Sequence, residues 1–334
     1  MNGIYILAND YVYDQLVALL NSIETNISTT IPICILPYDD RLDKVRSEIA
    51  KRPQVSLFEN ADSIQRWEKF ATQAWKSHDR AQKTWRAQSF PEVYRLQMHR
   101  KLCCFDGEFE KFVYFDADTL ALGSIAPIFQ KLDDYDWVAN DYQYSSDIKY
   151  IFDRPEAELL KVFQPETLKN IFCAGWFASK KGIFIDERLR SLLDSLQSGE
   201  ADLMALGGPD QSLMNYMVLR GNISYYNFAA TGTAPGSHWS STFEEKEHTL
   251  YDKGQRLMYL HYMSIATSAF NRLCQGENVA IPYRDLFLHY RYLNQPELRP
   301  AIFAAPKQPH VVSQFVQRKI GNLKYRWRRL INIS

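Results

Sequence analysis

The sequence contains one stretch that determines its fold class, Phe112-Val113-Tyr114-Phe115-Asp116-Ala117-Asp118-Thr119. An apolar run of this kind predicts a buried strand, and this strand ends on two acidic residues. In an open α/β sheet, ligands bind beyond the carboxyl ends of the strands, so the two acids lie where a ligand is expected. Two carboxylates one residue apart can converge on Mg²⁺ or Mn²⁺, and such a cation can neutralise a diphosphate.

An acidic pair is also common as a turn or cap, so Asp116-Ala117-Asp118 has a purely structural interpretation as well. The residues on either side favour the metal site. The pair lies between the apolar run and a second apolar segment, Leu120-Ala121-Leu122. Carboxylates at the edge of a core are costly unless they are paired or bound to a ligand.

Apolar strands alternate with helical segments through the first half of the chain. Strands are predicted at residues 3–8, 31–36, 55–58, 111–115 and 137–139, with helices around 16–23 and 43–51. This alternation predicts an α/β fold with a mostly parallel sheet and helices on both faces. Further along, Asp210 follows Gly208-Pro209 and is predicted to cap a helix.

Two segments interrupt this pattern within a predicted catalytic domain of residues 1–297. Residues 63–98 are rich in charge, and we interpret them as a helical insertion over the sheet edge or the active site. Their tryptophans, Trp67, Trp75 and Trp85, are interpreted as packing residues rather than as aromatic platforms for a ligand. Residues 142–170 are polar and irregular, which suits an insertion on the acceptor side of a binding site.

Composition limits the class of protein and its location. The chain has 46% hydrophobic residues and 39 basic against 39 acidic residues, which is typical of a globular protein and gives no indication of nucleic-acid binding. Residues 1–10 contain neither a basic segment nor a long apolar one, so no secretory signal is expected. The five cysteines form no C-x-x-C pair, which favours reduced thiols and a cytoplasmic location.

Several motifs, in order along the chain, resemble those of the retaining glycosyltransferases of family 8, which include glycogenin and bacterial lipooligosaccharide galactosyltransferases. Cys173-Ala174-Gly175-Trp176-Phe177 is similar to the family's Asn-Ser-Gly-Val-Phe, and Gly208-Pro209-Asp210-Gln211 with Asn215 to its Gly-Asp-Gln-x-x-x-Asn. The other matching segments are Arg95-Leu96, Arg100-Lys101-Leu102-Cys103-Cys104-Phe105, Tyr114-Phe115-Asp116-Ala117-Asp118-Thr119-Leu120 and His261-Tyr262.

The resemblance implies a GT-A fold and transfer of a hexose from a nucleoside diphosphate sugar, with UDP as the expected nucleotide. It assigns Asp116, Asp118 and His261 to a metal ion, Mn²⁺ or Mg²⁺. It assigns the donor to Asn9, Asp10 and Tyr11 for base and ribose, to Arg95 and Lys101 for phosphates or sugar, and to Ala117 between the two acids.

Catalysis is assigned to residues beside the reacting carbon. The resemblance places Asp210 and Gln211 there. A carboxylate such as Asp210 or Asp141 would stabilise an oxocarbenium-like sugar electrostatically or trap it covalently. In a third mechanism, the acceptor attacks on the face from which the phosphate departs.

The sequence departs from the family in its last element, which is usually His-x-x-Gly-x-x-Lys-Pro-Trp. Here Ser264 replaces the glycine and Thr267 the lysine, so a phosphate-binding cation is missing unless Arg272 or Lys101 substitutes. This leaves a rival function open, that of a non-catalytic nucleotide-sugar-binding protein. A sugar nucleotidyltransferase is disfavoured because no Gly-rich, Arg-containing loop follows the first strand.

The zero net charge is a cancellation between two regions. Eight of the 39 basic residues follow Glu297, the last acidic residue, so residues 1–297 carry 31 basic against 39 acidic residues, a net charge of −8. The segment 298–334 combines these cations with apolar residues at near-helical spacing. Such a tail predicts peripheral binding to an anionic membrane on its inner, cytoplasmic face, near a lipid-linked or saccharide acceptor.

Overall fold

The computed structural model describes residues 1–140, 148–232 and 237–305. Its strands are β1 (Asn2–Ala8), β2 (Ile33–Pro37), β3 (Val55–Leu57), β4 (Lys111–Asp116), β5 (Thr119–Ala121), β6 (Trp137–Ala139), β7 (Trp176–Lys180), β8 (Tyr225–Asn227), β9 (Glu244–Lys246), β10 (Thr249–Asp252), β11 (Gln255–Arg256) and β12 (Tyr259–His261). Its α-helices are α1 (Tyr13–Asn26), α2 (Asp43–Ile49), α3 (Ala61–Lys76), α4 (Asp79–Ala87), α5 (Ala126–Asp134), α6 (Glu156–Leu159), α7 (Pro165–Leu168), α8 (Asp186–Gln197), α9 (Pro209–Arg220), α10 (Thr267–Cys274) and α11 (Arg284–Tyr292).

Seven of the strands form one sheet in the order β3-β2-β1-β4-β7-β6-β8. Strand β7 runs antiparallel to both of its neighbours, and the other neighbouring pairs are parallel. The predicted α/β fold with a mostly parallel sheet is therefore confirmed. The carboxyl ends of β1, β2 and β4 meet at one edge of the sheet.

Strand β4 is buried on both faces, as its uninterrupted apolar sequence predicts. Phe112 and Tyr114 pack into the hydrophobic cluster on one face, whereas Val113 and Phe115 pack into the cluster on the other. The first cluster includes the inward side chains of α3 and α9, and the second includes those of α1 and α5. The sheet thus forms the middle layer of three.

The segment 63–98 contains α3 and α4 and leaves the α-helical conformation after Ala87. Its three tryptophans are buried in the same cluster as Phe112, so the tryptophan-rich segment covers a face of the sheet. Residues Leu96–Phe105 then form a 3-10 helix. The predicted helical segment ended at residue 98, inside this 3-10 helix. Burial of the indole rings in this layer stabilises the face of the sheet on which Lys101 lies.

A separate two-stranded antiparallel sheet connects residues 259–261 to the acidic turn. Strand β5, directly after the two acids, pairs with β12, so that Thr119 lies opposite His261. A third hydrophobic cluster includes side chains of α10 and α11 and supports this pair. In the described part of the chain, no helix combines the length and apolar character needed to cross a bilayer.

Candidate active site

Three predicted metal ligands come together at the carboxyl end of β4. Asp116 is the last residue of β4, and Asp118 lies in the turn before β5. The β5–β12 pairing, extended by a hydrogen bond from Tyr262 N–H to Asp118 C=O (2.9 Å), places Nε2 of His261 3.3 Å from Asp118 Oδ1. Ligand atoms of Asp116, Asp118 and His261 all lie within 4.8 Å of one another.

Gly175 leaves the space that a cation needs between these ligands. Its carbonyl accepts a hydrogen bond from Asp116 N–H (2.8 Å), which brings its Cα beside the cluster. A Cβ at this position would lie 2.3 Å from Cε1 of His261 and 3.1 Å from Oδ2 of Asp116. Two carboxylates and one imidazole around such a gap fit a divalent cation such as Mn²⁺ or Mg²⁺.

The charges in the cluster influence one another strongly. Burial, together with the charge of Asp118, raises the pKa of Asp116, and Lys101 opposes this rise. Burial would also raise the pKa of Asp118, but the neighbouring His261 imidazolium holds that pKa below its ordinary value. Burial disfavours a charged His261, yet the Asp118 carboxylate raises the pKa of His261 well above its usual range. The pKa of each of these three groups therefore depends on the charges of its neighbours.

Lys101 links the acidic turn to α9. Its side chain is 0% exposed, and its Nζ lies 3.2 Å from Asp116 Oδ1, 2.8 Å from Asp210 Oδ2 and 3.1 Å from the Ala174 carbonyl oxygen. These three contacts use all three ammonium hydrogens. Tyr114 donates a further hydrogen bond to Asp116. Lys101 thus holds the buried Asp210 carboxylate and the partly buried Asp116 carboxylate in fixed positions.

Asp210 and Gln211 lie at the start of α9, next to the segment that follows α7. The helix begins at Pro209 with Gly208 as its cap, so the predicted capping role of Asp210 is wrong, because its carboxylate faces Lys101 instead. Burial would raise the pKa of Asp210, but Lys101 lowers it below its ordinary value. Gln211 Oε1 accepts a hydrogen bond from Ala174 N–H (3.3 Å).

A cleft of about 640 Å³ opens beside the acidic turn, a volume typical of small-molecule sites. It lies between the carboxyl ends of β1, β2 and β4 and the segment after β12. The predicted residues that line it are Asn9, Tyr11, Arg95, Asp116, Ala117 and Asp118, and the other lining residues are Leu7, Ala8, Val12, Gln15, Tyr38, Arg41, Met98, Ser264, Ile265, Ala266 and Thr267.

Not every residue assigned to the donor faces this cleft. Asn9 and Tyr11 line it, and Asn9 is held by Asp39, which accepts a hydrogen bond from its Nδ2 (2.9 Å). Asp10 instead accepts a hydrogen bond from Val45 N–H (3.0 Å) and so caps α2. Asp141 lies outside the described residues.

Two arginines line the cleft in the described chain. Arg95 adopts a left-handed backbone conformation (φ 55°), and its guanidinium stacks 5.1 Å from the ring of Tyr94. Arg41 pairs with Asp39. Arg272, the predicted substitute for the missing lysine, pairs instead with Glu277 at 2.6 Å.

Gln15, Tyr38 and Arg41 line the cleft although they were not predicted from the sequence. Tyr38 and Arg41 could have been predicted by the rule that identified Asp116, because they follow the carboxyl end of a parallel strand, β2. Gln15 carried no signal, since it lies inside a helix whose neighbouring residues are core residues.

A mostly parallel sheet that ends in an acidic pair beside such a cleft defines a class of protein, that of the GT-A fold, and the described chain has this fold. Among solved structures, the chain is similar to the galactosyltransferase LgtC in complex with donor and acceptor sugar analogs, with 14% identity, a TM-score of 0.51, and 92% of this chain and 98% of LgtC covered. At this identity, the likeness establishes the fold alone.

Two other solved glycosyltransferases are similar at lower scores. The bifunctional WbbM has 14% identity and a TM-score of 0.48, covering 86% of this chain and 49% of its own. GlyE of Streptococcus pneumoniae TIGR4 has 12% identity and a TM-score of 0.47, covering 89% and 61%. The chain thus spans about half of WbbM. No protein-family model and no curated protein matches the sequence.

Proposed function

We propose that this chain is a metal-dependent glycosyltransferase that moves a hexose from a nucleoside diphosphate sugar with retention at the anomeric carbon. The first donor to test is a UDP-sugar. The proposed acceptor is lipid-linked or a polysaccharide. The observation that carries the proposal is the convergence of Asp116, Asp118 and His261 beside a cleft large enough for a nucleotide sugar.

In this proposal Asp116, Asp118 and His261 hold Mn²⁺ or Mg²⁺, which when bound offsets the negative charge that grows on the departing diphosphate. Arg95 donates hydrogen bonds to the phosphates. Its guanidinium lines the cleft and forms no ion pair with any described residue, so it is free to do so. Asn9 and Tyr11 bind the nucleoside.

Asp210 is the proposed stabiliser of the oxocarbenium-like sugar, beside Gln211. Lys101 keeps this buried carboxylate ionised, as the lowered pKa of Asp210 indicates, and an ionised carboxylate is what a developing positive charge requires. Electrostatic stabilisation, covalent trapping and attack on the departing face all remain compatible with this position. Asp141 stays a second proposed carboxylate.

One feature favours the rival function, a non-catalytic nucleotide-sugar-binding protein. The cleft wall formed by Ser264, Ile265, Ala266 and Thr267 carries no cation. In the described chain, Lys101 and Arg272 are both engaged with carboxylates rather than facing the cleft. Leaving-group stabilisation therefore depends on the metal and on the two arginines that line the cleft, Arg95 and Arg41, of which Arg41 is also paired with Asp39.

The test is a screen of nucleotide sugars with Mn²⁺ for release of nucleoside diphosphate, comparing the wild type with Asp118→Ala. We expect release from at least one donor and its loss in Asp118→Ala. Asp62→Ala removes an exposed acid on α3 and serves as the matched control. Turnover that survives Asp118→Ala contradicts the metal assignment, and donor binding without hydrolysis or transfer favours the rival.

Location is proposed from the charge distribution. The body is acidic and the last eight charged residues are basic, so we propose a cytoplasmic protein that binds the inner face of the cell membrane peripherally. Residues 306–334, which hold most of the basic tail, lie outside the described residues.

A further inference from the structure

Gln15 is a buried amide in the first turn of α1 that lines the cleft. Its exposed fraction is 2%, yet neither Nε2 nor Oε1 has a hydrogen-bond partner among the described residues. Burial of an amide without partners is costly, so such groups call for a ligand or a water molecule.

Two other buried amides of the same molecule are bonded at both ends. Asn21, on the same helix, donates to the Tyr290 carbonyl (2.7 Å) and accepts from Arg52 (2.6 Å). Asn215 donates to the Phe172 carbonyl (2.9 Å) and accepts from Phe172 N–H (3.0 Å). Gln15 differs from them in facing the cleft, which indicates a partner that arrives with a ligand.

The two unpaired atoms restrict the chemistry of that ligand. A carboxamide offers two N–H donors and one acceptor oxygen. A diphosphate has acceptors only and would leave Oε1 unpaired, whereas a cation would leave Nε2 unpaired. A nucleoside satisfies both atoms, because ribose hydroxyls and the imide edge of uracil or guanine each combine a donor with an acceptor.

The position of Gln15 agrees with this chemistry. It lies three residues after Val12 and four after Tyr11, and residues at these spacings neighbour one another on a helical surface. Both also line the cleft, as does Asn9, the residue before the 3-10 turn Asp10–Val12 that leads into α1. Gln15 therefore adjoins the segment proposed to bind the nucleoside.

We propose that Gln15 binds the nucleoside half of the donor, through a group that carries both a hydrogen-bond donor and an acceptor, and so helps to select the donor nucleotide. This inference rests on the proposed function, since it assumes a nucleotide in this cleft.

The experiment measures binding of UDP, GDP and inorganic pyrophosphate to the full chain with Mn²⁺ by titration calorimetry. Gln15→Met keeps the length of the side chain and removes both polar atoms. We expect it to bind its preferred nucleoside diphosphate about tenfold more weakly and pyrophosphate unchanged. Its thermal midpoint should not fall, because an unpaired buried amide has been removed. Gln88→Met, at an exposed position, is the control.

Deoxynucleotides then identify the contacted group. If Gln15 binds ribose, 2′- or 3′-deoxy-UDP binds the wild type more weakly than UDP does. In Gln15→Met, removal of the same hydroxyl then causes no loss of affinity. If Gln15 binds the base, removal of the hydroxyl lowers the affinity of both proteins equally. The variant then discriminates less between UDP and GDP. Both results support the proposal.

Equal nucleoside diphosphate affinity in wild type and Gln15→Met overturns the inference, as does an equal loss for pyrophosphate. Gln15→Leu repeats the comparison if the first variant is unfolded by its melting curve. Failure of the proposed function looks different, because the wild type itself then binds no nucleoside diphosphate, and the inference falls with it.

Discussion

At the scale of single residues, the candidate site depends on charges that are buried and mutually paired. Lys101 is enclosed between Asp116 and Asp210, and burial opposes the charged form of all three. The Lys101 pKa is raised nevertheless, through the two carboxylates. Removing one partner of such a group leaves the others uncompensated in a dry environment.

We therefore expect Lys101→Met to lower the free energy of unfolding by about 3–5 kcal/mol at pH 7. Urea denaturation measures this change. Lys246→Met, which removes an exposed cation paired with Glu244, should leave the free energy of unfolding almost unchanged, because an exposed ion pair is solvated and screened. A loss of similar size in both variants would argue against a buried network around Lys101.

The same variant has a defined pH dependence. Because the folded-state pKa of Asp210 is lowered, its ionisation stabilises the wild type above the unfolded-state pKa, and this stability is lost as pH falls through the folded-state pKa. In Lys101→Met, burial without a cation raises the carboxylate pKa values, so acidification from pH 7 to pH 5 stabilises the variant. The stability gap should narrow at pH 5, and a gap that widens would contradict this account.

Gly175 offers a second test at this scale. In Gly175→Ala the added methyl group meets His261 and Asp116 and fills the space between the proposed metal ligands. We expect Mn²⁺ to bind at least about tenfold more weakly, measured by electron paramagnetic resonance, with the circular dichroism spectrum retained. Gly207→Ala, where a Cβ has no atom within 4 Å, should bind Mn²⁺ as the wild type does.

At the scale of elements, the site depends on connections between helices and strands that are distant in sequence. The β5–β12 pair brings His261 to the acidic turn, and α9 is held to the residues before β7 through Asn215. The loop after β1 is connected to α2 through Asp10. Adjacent residues of this loop can thus have different roles, because Asp10 supports a helix whereas Asn9 lines the cleft.

Asp10→Ala separates these two roles. We expect it to lower the free energy of unfolding by about 1 kcal/mol, since the Val45 amide of α2 loses its acceptor, and to leave nucleotide affinity unchanged. Denaturation and calorimetry measure the two effects. Asp43→Ala removes an exposed acid from the first turn of α2 and controls for charge. A marked loss of nucleotide affinity in Asp10→Ala would restore its predicted donor role.

At the scale of the whole molecule, the distribution of charge matters more than its total. The 39 basic and 39 acidic residues cancel, but the acids all precede residue 298. An acidic body is repelled by an anionic membrane, whereas a basic, aromatic tail is attracted to one. We therefore assign the proposed membrane binding to residues 298–334 and the proposed transfer chemistry to the body.

We expect the full chain to float with liposomes that contain anionic lipid, and a variant that ends at His310 to remain in the soluble fraction. The truncation removes six of the eight terminal cations, each contributing about 1 kcal/mol near an anionic surface. Liposomes of neutral lipid are the control. Equal flotation of both proteins would end the membrane proposal, and nucleotide binding should be the same in both.

Local sequence patterns were enough to predict the layers of the fold and the position of the acidic turn. These two features depend on local patterns, because the apolar run of β4 indicates that the strand is buried and the two acids follow it directly. The order of the motifs further predicted that Asp116, Asp118 and His261 belong together.

The tertiary structure alone decided what the buried polar groups contact. Lys101 meets Asp210 across more than a hundred residues, and Asp10 turns to α2. Gln15 faces the cleft with no hydrogen-bond partner among the described residues. Periodicity shows which side of an element is buried, but it does not show which distant element covers that side. The energy of a buried charge or amide depends on that neighbour, so only the folded chain assigns its role.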